Sequence, residues 1–206
     1  MPDIDKHEPP SFTLPGMDLH FQRAGAPLQQ RDLRDLAWTM LEPYTLPSGI
    51  IASRLSNEWL GAHNWRVQFI EASPLTKSDD RFLQPLVAAL MHTQNRSLLG
   101  TAVEMGDAKI SAVWRLPVES RVLGLYFNAH QINRSLLYSK ALDFAVYAFE
   151  RIYAVYAGPE DFARAALPYS AVGAAATHWV REGVEEEHGP GCMDSILEHY
   201  APFMLD

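Results

Sequence analysis

His188, Cys192 and His199 are the residues of this chain whose types best suit covalent or metal chemistry. Gly189-Pro190-Gly191 separates the first two, and His199 follows on the next predicted helix. A thiol near a helix N-terminus and beside an imidazole ionises readily, and the thiolate is the attacking form. Three N and S donors with a fourth position open would also suit a catalytic zinc ion. Neither pattern is completed by its surroundings. No family-type cysteine signature flanks Cys192, and no HExxH or CxxC accompanies the histidines. A free cysteine in a loop between surface histidines accounts for the same residues, and no metal or other cofactor is expected.

Two further groupings bear on chemistry. Asp143 and Glu150 lie two turns apart on a helical reading, a separation of roughly 10 Å that is wide for paired acid–base carboxylates. Lys140 and Arg151 share their stripe, so a solvated, salt-bridged face explains all four. Trp59, His63 and Trp65 flank a turn containing Gly61 in SNEWLGAHNWRV. Tryptophan beside a polar neighbour anchors protein interfaces. Aromatic rings fill cores as readily, with Trp65 inward on a strand and Trp59 at the core edge. These three are the candidate binding residues. There is no GxGxxG, Walker A or GxSxG motif, which leaves nucleotide-dependent and serine-hydrolase chemistry without local support.

The elements that must position these groups are predicted as follows. Gln131 to Ala157 (QINRSLLYSKALDFAVYAFERIYAVYA) reads as a long helix with one polar stripe formed by Ser139, Lys140, Asp143, Glu150 and Arg151. Its remaining circumference is apolar, so it is expected to be the central spine. Gly158-Pro159 stops it. Residues 29–42, 81–93, 170–182 and 194–200 read as further helices, giving a helical C-terminal third. Asn64 to Ala72 alternates as a half-buried strand. Leu98 to Met105 and Lys109 to Leu116 flank a Gly106-Asp107-Ala108 turn, and Arg121 to Asn128 reads as a strand covered on both faces. The expected fold is therefore α+β, a small antiparallel meander of three or four strands packed on the long helix. The Pro- and Gly-rich residues 1–28 are expected to be an extended, partly flexible arm, and 29–206 a single domain.

Bulk properties narrow the function. The chain has 206 residues, 48% of them hydrophobic, and a formal net charge of −8. An acidic chain without basic runs does not suit general nucleic-acid binding. Asp143, Glu150 and Arg151 interrupt the longest apolar stretch, so no membrane span is expected. The single cysteine allows no internal disulfide, and MPDIDKHEPP has no signal-peptide pattern; a cytoplasmic location follows as the expectation. The resulting expectation is a non-enzymatic accessory, inhibitor or immunity-type protein that binds a protein partner of basic character. The alternative is an enzyme or small-molecule binder with a pocket between sheet and helices, and with Cys192 and His188 as reactive groups.

Overall fold

The stretch expected to be the central helix is three adjacent strands. The computed structural model describes residues 21–46, 49, 51–93, 97–103, 112–131 and 133–206. In chain order these form β1 (Gln22–Arg23), α1 (Pro27–Trp38), the hairpin strands β2 (Leu41–Thr45) and β3 (Ile51–Leu55), α2 (Asn57–Ala62) and β4 (Arg66–Glu71). Next come α3 (Ala72–Thr76), α4 (Asp80–His92), β5 (Ser97–Val103), β6 (Trp114–Pro117) and α5 (Ser120–Ala129). The strands β7 (Arg134–Tyr138), β8 (Ala145–Phe149) and β9 (Tyr153–Gly158) follow, then α6 (Glu160–Ala165), α7 (Gly173–His188) and α8 (Asp194–Tyr200).

The expected small sheet on one long helix is thus replaced by a seven-stranded antiparallel sheet, ordered β1-β6-β5-β7-β8-β9-β4, plus the two-stranded β2-β3 sheet. Every residue of β7, β8 and β9 is buried. Strands covered on both faces read as continuous apolar runs, and such runs resemble a helix that is apolar all round. The supposed polar stripe is the two turns. Ser139 to Asp143 joins β7 to β8, Leu142 taking φ 54°, and Glu150 to Ile152 joins β8 to β9, Glu150 taking φ 54°. One strand plus one turn spans about three helical turns, so polar groups recur at a spacing that imitates a helix face.

The opposite error occurs at Arg121 to Asn128, expected as a strand and found within helix α5. Val122, Leu123, Tyr126 and Phe127 are buried while Arg121, Leu125 and Asn128 are exposed, which is a helical period. The β2–β3 hairpin was also not expected; Leu41 pairs with Leu55 and Thr45 with Ile51. The Gly106-Asp107-Ala108 turn and the first twenty residues of the expected arm lie outside the described residues. Among the described residues, no helix is long and apolar enough to cross a membrane.

Alternation along the strands splits the core into two layers. One face of the sheet carries Leu137, Val146, Ala148 and Tyr156 and packs against α3, α4, α5 and α6. The other carries Leu136, Tyr138, Tyr147, Phe149, Tyr153 and Val155 and packs against α1, the β2–β3 hairpin, α2, α7 and α8. Helix α7 is pinned to β4 by the buried Gln68. Its Oε1 accepts from the Gly173 amide at 2.6 Å and its Nε2 donates to Thr177 Oγ1 at 3.2 Å. Gly173 has φ 62°, and a Cβ there would collide with the Leu205 carbonyl, so the helix begins on a position suited to glycine.

Tyr126 ties α5 to the sheet. Its hydroxyl lies 2.8 Å from the Thr101 carbonyl and 3.0 Å from that of Leu136, which face each other across β5 and β7. Gly100 supplies the clearance, because a Cβ there would lie 2.7 Å from the Tyr126 ring. Tyr126→Phe is expected to lower stability by about 1–2 kcal/mol with unchanged topology, measured by urea unfolding. A loss below about 0.3 kcal/mol would show that this hydroxyl contributes no net hydrogen bond.

Candidate functional site

The three aromatic candidates converge. Ser56 caps α2, its Oγ accepting from the Trp59 amide, and Asn64 at φ 51° turns the chain from α2 into β4. The Trp59 and His63 rings stack with centroids 3.8 Å apart, and Trp65 meets Trp59 edge-on at 6.0 Å. His63 Nδ1 is 2.9 Å from the Trp59 carbonyl. Trp65 is only 3% exposed and belongs to the core, Trp59 is half-buried and His63 is exposed. The corner therefore presents a stacked indole–imidazole pair over a buried indole.

The reactive-group candidates do not assemble. Cys192 is exposed on the Gly189–Met193 loop. Partial burial of the sulfur and then the carboxylate of Glu185 push its thiol up, away from the thiolate that a nucleophile needs. His188 lies 3.8 Å from Glu187. His199 points to β3, with Nε2 2.9 Å from the Leu55 carbonyl and Nδ1 3.8 Å from Glu42. Among the described residues, no three His, Cys, Asp or Glu side chains are placed to hold a metal ion. Asp143 and Glu150, read as one helical stripe, stand in turns at opposite ends of β8. Asp143 accepts from the Ser139 hydroxyl, while Glu150 lies 4.0 Å from Arg134.

Two features were not anticipated. The first is Trp179 on α7, which is 53% exposed. Its ring meets Tyr169 edge-on at 6.2 Å, and Tyr169 meets Phe82 at 5.8 Å, so the exposed indole rests on an aromatic ridge. Ala176, Val180 and Val184 form the buried stripe of α7, and Trp179 stands off it with Glu182 and Glu186. That offset from the 3.6-residue apolar period was the available signal. The second is a layer of tyrosines between sheet and hairpin. Tyr147 donates to the Ser53 carbonyl at 2.5 Å, and Tyr200 accepts from the Leu55 amide at 2.8 Å. Burial pushes both phenols up. Arg134 lies in this layer, and its charge at the start of a strand that continues Ser135-Leu136-Leu137-Tyr138 was the sequence cue.

No protein-family model, curated protein or solved structure matches the chain.

Proposed function

We propose that the protein acts by recognition, as a non-enzymatic accessory or inhibitory protein docking on a partner with a basic surface. The observation that carries this reading is the exposed Trp179 held on Tyr169 beside Glu182 and Glu186. An indole fixed by its neighbour loses little entropy on docking, and such residues concentrate binding energy. The surrounding carboxylates and the net charge of −8 favour approach to a cationic surface. The Trp59–His63 pair is a second contact of the same kind, smaller because Trp59 is half-buried. The competing enzyme reading, with Cys192 and His188 as reactive groups, needs a stabilised thiolate, and the surroundings of Cys192 oppose one. An exposed free thiol suits a reducing compartment, consistent with a cytoplasmic protein.

Affinity capture from the native source with wild-type and Trp179→Ala baits, followed by kinetics on what is recovered, tests the reading. Trp179→Ala is expected to weaken the complex by about 2 kcal/mol, roughly 30-fold, through faster dissociation, with folding intact. Glu182→Gln with Glu186→Gln is expected to slow association and flatten its salt dependence. Equal capture by both baits, together with loss of a small-molecule turnover in Cys192→Ser, would transfer the case to the enzyme.

A further inference from the structure

Arg134 opens β7 near the middle of the sheet, in register with Val103 on one side and Phe149 on the other. It is 0% exposed, and none of its three guanidinium nitrogens has a hydrogen-bond partner among the described residues. Among the described residues its nearest carboxylate oxygen, on Glu150, is 4.0 Å away, beyond hydrogen-bond reach. Its Cζ stands 4.5 Å over the Phe149 ring, which returns only part of the hydration that the cation gave up. Arg54 in the same layer offers the contrast. Its Nε donates to Glu42 at 2.9 Å, and it stacks over Tyr44 at 4.9 Å. One arginine of the pair is satisfied and the deeper one is not. A buried cation whose donors are unused is among the least favourable features a fold can retain.

We infer that Arg134 is the floor of a binding site for a flat monocarboxylate, lying between the sheet and the β2–β3 hairpin. The guanidinium fork matches a carboxylate in bidentate fashion. Charge disfavours a dianion: Glu150 already sets one negative charge against Arg134, so a monocarboxylate leaves a net excess of one and a phosphate dianion an excess of two in a poorly hydrated space. The walls are aromatic. Phe149 and Tyr153 stack at 5.2 Å and 4° between planes, and Tyr44 and Tyr147 lie close enough to feel the Arg134 charge. An apolar planar body suits such walls. Glu150 is 30% exposed and Tyr44 half-buried, so the guanidinium lies one side chain beneath the surface. This site is separate from the docking face on α7, and either can fail without the other.

The experiment uses the full chain with sodium benzoate as probe, against sodium phosphate and sodium chloride at equal ionic strength. Thermal unfolding, calorimetric titration and the ¹⁵N–¹H resonance of Arg134 Nε are the readouts. Benzoate is expected to raise the melting temperature and shift that resonance, with chloride and phosphate doing neither. Arg134→Met is expected to fold and to bind benzoate at least about tenfold more weakly, and Glu150→Gln to bind it more tightly. If Arg134→Met does not fold, Arg134→Lys keeps the charge, loses the fork and is expected to show the same weakening. A benzoate response no larger than that of chloride, or one that survives in these Arg134 variants, overturns the site. A phosphate response exceeding that of benzoate overturns the ligand class.

Discussion

Phe144→Ala is expected to lower the unfolding free energy by about 3–5 kcal/mol, one of the two largest effects anticipated here. Phe144 is fully buried in the segment leading into β8, not on a helix face as its sequence setting implied. Its ring lies 5.1 Å from that of Phe162 on α6, with Gly158 beneath, where a Cβ would come within 3.4 Å of Phe144. Truncation removes the transfer free energy of the ring and leaves a cavity between two elements that cannot close independently. Urea unfolding with an unchanged m-value checks it. A loss below about 1 kcal/mol would mean that α6 does not seat on the sheet as described.

The second large effect is acid sensitivity arising at His130. Its ring is buried against Tyr126 at a centroid distance of 4.9 Å, and neither nitrogen has a hydrogen-bond partner among the described residues. Burial lowers its pKa to about 4, against an ordinary value of 6.5. The unfolded chain takes up the proton as pH falls through about 6.5, whereas the folded protein resists until about pH 4. The unfolded state binds more protons throughout that window, so stability is greatest above it and is lost as pH falls within it. The gap corresponds to about 3 kcal/mol. His199, also lowered by burial, adds to the same slope. His130→Phe is expected to remove most of the slope between pH 6.5 and 4 while leaving neutral-pH stability within about 1.5 kcal/mol. The comparison isolates His130, because Asp79 and Glu185, whose carboxyls are held low by the Arg81 side chain and the Gly191 amide, titrate in both proteins. An unchanged slope in the variant would place the acid sensitivity elsewhere.

What the sequence made legible was local. The alternation of Asn64 to Ala72 appears as β4, although the strand expected to be half-buried is covered on both faces, because Arg66 and Gln68 still alternate with Val67 and Phe69. The apolar period near Arg81 to Thr93 appears as α4, which leaves one face exposed. The segments misread are those whose two sides are both largely apolar. Without a polar face, β7, β8 and β9 carry no period, and their turn residues fall where a helix would place a stripe. RVLGLYFN failed for the converse reason: Leu125 extends the apolar run across the exposed side of α5, hiding its helical phase. The candidate site divides in the same way. Trp59, His63 and Trp65 meet because a short turn joins them, which sequence proximity reveals. The exposure of Trp179 depends on which face of α7 meets β4, and the isolation of Arg134 on what lies above β7. Both are set by tertiary packing.

The central claim is that the α7 face around Trp179 is a docking surface. A photo-reactive phenylalanine analogue placed at position 179 of the full chain, in its native cellular setting, tests it most directly. A matching probe at Leu28 on α1, the exposed residue 81% accessible, is the control. The expected result is a discrete adduct with a basic protein from position 179, lost when Glu182 and Glu186 are neutralised and absent from position 28. No adduct at 179, or the same adducts from both positions, would contradict the claim.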